Sequence, residues 1–110
     1  MTEVIDRVQR IRELNDMLRT GGKGGAVMMT SGFNETPGAS VIFDRMRAFT
    51  EFTEDNDPHG EYDFGSVDFN GEKFFWKIDY YAPDREHGSE DPADQDKTIR
   101  VLTIMRASEY

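Results

Sequence analysis

The stretch FGSVDFNGEKFFWKIDYY, residues 64–81, predicts the centre of the fold. Asn70 and Gly71 are typical of a two-residue type I′ hairpin turn, because both residues tolerate the positive φ angles that this turn requires. Val67 and Phe74, Gly65 and Trp76, Phe64 and Lys77, and Asp68 and Lys73 then become cross-strand neighbours. The last of these pairs has opposite charges, which supports this register.

Alternate residues of the hairpin divide between two faces. The predicted core face holds six large side chains: Val67, Phe69, Phe74, Trp76, Ile78 and Tyr80. Gly65 has no side chain and leaves space for the Trp76 indole. Phe75 and Tyr81 lie on the opposite, mixed face, where exposed aromatic residues favour contact with a partner or with a second copy of the chain.

The rest of the chain predicts two helices and two more strands. Apolar residues recur every three or four positions in 3–18, which indicates an amphipathic helix. Thr2 is its expected cap, Gly21–Gly25 its expected end, and Arg19 lies mostly off its apolar side. Residues 26–31 are short and apolar, and they predict a buried strand.

Thr36-Pro37 has the pattern of a helix cap followed by a proline in the first turn, and it predicts a second helix over 37–49. The β-branched pair Val41-Ile42 leaves a strand at that point as the alternative. Residues 82–96 read as a long acidic loop, and 99–105 as a strand. The expected fold is one α+β domain over 1–110, with two helices packed on a mainly antiparallel sheet of about four strands.

Composition narrows the class of protein. The chain has 110 residues, 36% hydrophobic and 32% charged, which fits one small polar domain. It contains no cysteine, so disulfides, cysteine-bound zinc and thiol catalysis are excluded. No apolar run approaches the ~18 residues of a membrane helix. The cytoplasm is the expected compartment, and no cofactor is expected.

The negative charge is concentrated in one part of the chain. Residues 51–96 contain fifteen acidic residues and only three basic ones, Lys73, Lys77 and Arg85, for a net charge of −12. The whole chain has a net charge of −9, and residues 1–50 have a net charge of +1. A local field of this sign attracts cationic partners and repels nucleic acids and anionic membranes.

This pattern predicts an acidic protein-binding module with no catalytic residues. Its carboxylates would imitate the phosphates of a duplex and engage the basic surface of a nucleic-acid-binding protein, as a DNA mimic or an anti-defence, anti-CRISPR type of inhibitor does. The predicted contact residues are Glu54, Asp55, Asp57, Glu61, Asp63, Asp84, Glu86, Glu90, Asp91 and Asp94, together with Phe75 and Tyr81. A solvated acidic surface that only keeps the domain soluble is the competing interpretation.

Other classes of function have weaker support. His59 and His87 each lie in an acidic segment and could serve a small metal-dependent or His/Asp enzyme. Residues 55–61 resemble the start of a calcium loop, but Ser66 stands where the loop needs a bidentate glutamate. No metal site is therefore predicted. A structural subunit that forms a homodimer through Phe75 and Tyr81 is a third reading.

Several segments also resemble a known family. They are FTEFTEDNDPHGE at 49–61, DFG at 63–65, FWKIDYY at 75–81, GS at 88–89, DPAD at 91–94 and RVLTIM at 100–105, with weaker likeness at 15–16 and 27–30. In these residues the chain resembles the domain of unknown function 3768 family of small bacterial proteins. The family supplies no catalytic residues. Families of this kind are often found on plasmids and phages, which favours by association an inhibitor of host defence.

Overall fold

The computed structural model describes residues 6–110. It contains three α-helices, a four-stranded sheet and two single-turn 3₁₀ helices. The α-helices are α1 (Arg7–Gly21), α2 (Ser31–Asn34) and α3 (Ala39–Arg47); the strands are β1 (Ala26–Met29), β2 (Phe64–Phe69), β3 (Glu72–Tyr81) and β4 (Ile99–Arg106); the 3₁₀ turns are Gln95–Lys97 and Ala107–Glu109.

The sheet has the strand order β1-β4-β3-β2. β3 is antiparallel to both of its neighbours, and only β1 runs parallel to β4. The hairpin register agrees with the prediction at each of the four predicted pairs. Asn70 and Gly71 have φ angles of 52° and 78°, and Lys73 Nζ lies 3.2 Å from Asp68. The α+β fold class with a mainly antiparallel sheet is confirmed.

Trp76 lies at the centre of the core and is fully buried. The rings of Phe49 and Phe52 pack edge-on against it, at centroid distances of 5.7 and 6.0 Å. A Cβ on Gly65 would lie only 2.6 Å from the indole, so a glycine is required opposite the tryptophan. The core thus forms on the face of the hairpin that the alternation predicted.

Helix α1 spans Arg7–Gly21 and ends three residues later than the helix predicted over 3–18, of which residues 3–5 lie outside the described residues. Asp6 caps its N-terminus by accepting a hydrogen bond from the Val8 N–H. The predicted cap Thr2 lies outside the described residues. The glycine run ends the helix as predicted, because Gly22 adopts the left-handed conformation, with φ of 70°.

Arg19 departs from its predicted place off the apolar side of α1, since it is buried, with 4% exposure. Its Nη1 donates to the main-chain carbonyls of Met46, Arg47 and Phe49, at 2.9 to 3.1 Å. These carbonyls lie at the C-terminal end of α3, where a cation satisfies acceptors that the helix itself leaves free. Burial of this guanidinium therefore joins α1 to α3.

The prediction of a buried strand at 26–31 is wrong in two respects. β1 ends at Met29, and three of its four residues are exposed because it forms an edge of the sheet. The Thr30 hydroxyl then caps α2 by accepting from the Phe33 N–H at 3.2 Å. A short apolar run has the same pattern in an edge strand as in a buried one.

The second predicted helix is shorter than 37–49. α3 begins at Ala39, with Gly38 in the cap position, and the alternative of a strand at Val41-Ile42 is wrong. Thr36 does not cap it: its hydroxyl donates to the Gly32 carbonyl at 2.8 Å and closes the turn after α2. The one-turn helix α2 was not predicted. Within residues 6–110 no helix is long and apolar enough to cross a membrane.

Candidate functional site

The two acidic loops, residues 51–63 and 84–96, approach the sheet from the same end. The first loop leads into β2, and the second connects the end of β3 to the start of β4. Because Tyr81 pairs with Ile99 and Phe64 pairs with Lys77, these strand ends are neighbours. The Asn-Gly turn lies at the opposite end. We call the end where the two loops meet the acidic end.

Helix α1 contacts both loops through its N-terminal half. Arg7 Nε lies 3.1 Å from an Asp91 oxygen of the second loop. Arg12 Nε donates to the Gly60 carbonyl of the first loop at 2.9 Å, and its guanidinium lies 4.6 Å from the centre of the Tyr62 ring. The loops therefore share one supporting helix, and two of its arginines offset part of their charge.

A buried polar network lies beneath the acidic end. Arg100 Nε donates to the Asn15 side-chain oxygen at 2.6 Å. Asn15 Nδ2 donates to the Tyr80 hydroxyl at 2.8 Å and to the Glu61 carbonyl at 3.0 Å. The Tyr80 hydroxyl donates to Glu61 Oε1 at 2.8 Å. Burial lowers the pKa of Arg100, and burial chiefly raises that of Tyr80.

Sequence reasoning did not identify Asn15 or Arg100 as members of this network, although both have 0% exposure. A signal existed for each. Asn15 follows Leu14 on the apolar side of α1, and Arg100 occupies an inward-facing position of a strand, between Ile99 and Val101. A polar side chain at a core position predicts a buried hydrogen-bonding partner.

Two of the predicted contact acids, Asp57 and Asp63, are buried to different extents. Asp57 is 7% exposed, and its carboxylate accepts from the N–H groups of Glu61 and Tyr62 at 3.0 to 3.2 Å. Asp63 is half-buried. Burial, with the nearby charges of Glu61 and Asp57, raises the pKa of Asp63 to about 6. Both side chains are therefore less accessible to a partner than the exposed acids of the same loop.

Four acids of the second loop have local partners. Asp84 accepts from the Glu86 and His87 N–H groups, bonds that hold its pKa below the usual range. Asp94 accepts from the Asp96 N–H and caps a 3₁₀ turn. Asp91 pairs with Arg7, as above. Glu90 lies 3.3 Å from Lys97, but both side chains are at least half exposed, so this pair is weak.

The remaining predicted acids, Glu54, Asp55 and Glu86, are exposed. Their side chains make no hydrogen bond or ion pair within the described residues 6–110. Glu51 and Asp96, which were not predicted, have the same character. These five carboxylates are exposed at the surface of the two loops, and they are the strongest candidates for contact with a partner.

The two aromatic contact residues lie on the sheet face that the three α-helices leave open. Phe75 is partly covered, because its ring packs against Phe64 and Tyr110 at centroid distances of 5.2 and 5.4 Å. Tyr81 is 37% exposed. The Lys77–Asp79 ion pair at 2.9 Å lies between them on β3. The open face is thus a mixed surface, as predicted.

The two histidines lie in different loops. Both are exposed, and His87 Nδ1 lies 2.7 Å from Asp84. Residues 6–110 contain no group of three or more histidine or carboxylate side chains arranged to hold a metal ion. Asp57 bonds to main-chain N–H groups instead of opening toward a cation. No contact joins the histidines into one catalytic site.

Comparison with protein families gives a match over most of the chain. The model for the family described as "Protein of unknown function (DUF3768)" matches residues 29–109. The chain belongs to the DUF3768 family. This match spans both acidic loops, the hairpin and all strands except most of β1. No curated protein and no solved structure matches the chain. DUF3768 membership therefore confirms the resemblance and carries no assigned activity.

Proposed function

We propose that this chain is a protein-binding module whose acidic end and adjoining loop surfaces engage a basic protein surface. The partner is a nucleic-acid-binding protein, and the module acts as an inhibitor by occupying the groups that contact phosphate. The observation that carries the proposal is the placement of both acidic loops at one end of the sheet. A cytoplasmic location belongs to the same proposal.

The exposed acids supply the contact charge. Glu54 and Asp55 represent the first loop, and Glu86 represents the second, each without a compensating cation in the described chain. Lysine and arginine side chains that bind phosphate would pair equally well with such carboxylates. Glu90 adds charge, because its ion pair with Lys97 is exposed and screened by solvent. Asp84 is also exposed.

Hydrogen bonds tie both acidic loops to the rest of the fold. In the second loop, the Ser89 N–H donates to the Tyr80 carbonyl at 3.0 Å. The Gln95 side chain donates to the Gly24 carbonyl, also at 3.0 Å. The first loop is fixed to α1 through Arg12. A preorganised charge pattern loses less conformational entropy on binding than a flexible acidic tail.

The enzyme alternative lacks a comparable observation. His59 and His87 share no contact, and the Asp84–His87 pair is on an exposed turn. The sequence-based prediction of an acidic binding module therefore remains the function that the geometry supports best. It is tested by capture of partners from a cell lysate with and without competing duplex DNA, using the charge-reversal variant Glu54→Lys/Glu86→Lys and the control Glu13→Lys/Glu35→Lys.

A further inference from the structure

Strand β1 leaves hydrogen-bonding groups free at one edge of the sheet. The Thr30 N–H donates to the Ile104 carbonyl at 3.2 Å. Bonds to a parallel neighbour recur at every second residue, so the N–H and C=O groups of Val27 and Met29 point away from β4. In the described part of the chain no strand lies beyond β1. This edge is available for pairing.

The other edge of the sheet, β2, is protected. Its Asp68 is charged, and the Asp68 carbonyl accepts from Arg45 Nη1 at 3.0 Å. Glu51 and Asn56 of the first acidic loop border the groove along this strand. β1 has the sequence Ala-Val-Met-Met, with neither a charge nor a proline. Proteins usually block exposed edges with such residues, so an unblocked edge indicates a pairing surface.

The edge also exposes large apolar side chains on both faces of the sheet. Met28 is 57% exposed on the open face, and Met29 is 43% exposed on the helix face. Met29 borders a depression of about 270 Å³ that is also lined by Phe33, Ala39 and Phe43. A strand added beside β1 would cover both methionines at once. Water bonded to the free main-chain groups would leave both side chains exposed.

The charges beside β1 favour a second copy of this chain. Asp44 of α3 lines the same depression as Met29, and Arg47 lines a second depression with Val27. The Arg47 guanidinium donates to the Thr20 carbonyl, through Nε at 3.1 Å and Nη2 at 2.7 Å. In an antiparallel pair with its own copy, Val27 is opposite Met29, which brings Arg47 of each chain toward Asp44 of the other on the helix side of the joined sheet. Residues 1–50, where this surface lies, have a net charge of +1, whereas 51–96 repel another acidic chain.

We propose that β1 pairs antiparallel with β1 of a second copy and joins two four-stranded sheets into one eight-stranded sheet across a two-fold axis. The axis passes beside Met28, which then lies opposite Met28 of the other chain. This assembly is independent of the proposed inhibitor function, and it leaves both acidic ends free.

Sedimentation equilibrium tests the proposal with Met28→Lys and a matched control, Met17→Lys. Met17 is 48% exposed on α1, so both variants change charge and polarity at a similarly exposed methionine. Met28→Lys places two lysines opposite each other and should raise the dimer dissociation constant at least about tenfold, while Met17→Lys should leave it unchanged. Asp44→Lys should weaken the dimer, because Asp44 of one chain lies toward Arg47 of the other. Asp55→Lys makes the same charge change in the first acidic loop and should not weaken the dimer.

Salt separates this association from binding by the acidic end. Added salt screens both the overall repulsion between two chains of net charge −9 and the Arg47–Asp44 attraction, so it should change the dimer little, whereas it should weaken capture of a cationic partner steeply. A wild-type chain that stays monomeric at high micromolar concentration would overturn the proposal. A dimer that resists Met28→Lys as well as Met17→Lys would place the contact elsewhere and would also overturn it.

Discussion

The Tyr80 hydroxyl donates a hydrogen bond to Glu61 at 2.8 Å, and this bond joins the end of β3 to the first acidic loop. Glu61 thus has a structural partner, as do Asp57, Asp84, Asp91 and Asp94. The acidic segment combines two kinds of carboxylate: those that hold the loops in place and those that face solvent. Only the second kind is expected to change partner binding without changing the fold.

Asn15 should be essential for stability. Its side chain bonds Arg100, Tyr80 and the Glu61 carbonyl, and Asn15→Leu would leave the buried Arg100 guanidinium without this acceptor. We expect a loss of about 2–4 kcal/mol in the free energy of unfolding. Urea denaturation measures it. The control is Asn34→Leu, at an exposed asparagine without a side-chain hydrogen bond in the described chain, and it should change stability by less than about 0.5 kcal/mol. Equal losses of stability in Asn15→Leu and Asn34→Leu would show that the network contributes nothing.

Gly65→Ala should destabilise the hairpin. The new Cβ would lie 2.6 Å from the Trp76 indole, which is itself held by Phe49 and Phe52. Overpacking of this kind costs about 1–3 kcal/mol. The same substitution at Gly21, where a Cβ meets nothing within 4 Å and the residue is helical, should be neutral or stabilise by up to about 1 kcal/mol. Thermal unfolding of both variants checks the predicted opposite signs.

Asp63 should make stability depend on pH. Its folded pKa is raised to about 6 from an ordinary value of 3.8, mainly by burial. The folded state therefore holds this proton more tightly than the unfolded chain does, and stability falls as the pH rises from about 4 to 6. Asp63→Asn should remove this dependence.

Wild type and Asp63→Asn should have similar stability near pH 4. Above pH 6.5 the variant should be more stable by up to about 2 kcal/mol in the free energy of unfolding. This value is reduced to allow for the partial exposure of Asp63. Denaturant unfolding between pH 4 and 8 gives this difference. A difference between wild type and Asp63→Asn that stays constant over the whole range would contradict the assignment.

The hairpin could be predicted from sequence because its signals are local. Asn70-Gly71 specifies the turn, and alternation then assigns Trp76 and Phe75 to opposite faces. β1 was misjudged because an apolar tetrapeptide has the same pattern at a sheet edge as in a sheet centre. Its position is decided by its parallel pairing with β4, a contact between residues more than 70 positions apart.

The candidate site was predicted less completely than the fold. Counting charges located the acidic loops, but it could not show that Asp57 bonds to the main chain while Glu54 faces solvent. The difference arises from loop geometry. Nor could counting show that Arg7 and Arg12, about fifty to eighty positions away in sequence, would offset part of the charge.

The central claim is that exposed acids of the two loops bind the phosphate-contacting surface of another protein. The decisive variants are Glu54→Lys/Glu86→Lys, one acid from each loop, and the control Glu13→Lys/Glu35→Lys, two exposed glutamates outside the acidic segment. Both double variants change the net charge by the same amount. Neither changes a residue of the buried polar network.

The most direct measurement is quantitative capture of lysate proteins by the immobilised chain, with and without added duplex DNA. We predict that wild type and the Glu13→Lys/Glu35→Lys control retain a DNA-binding protein, that duplex DNA releases it, and that Glu54→Lys/Glu86→Lys reduces its retention at least about tenfold. Retention that is indifferent to DNA and equal for the two double variants would contradict the account.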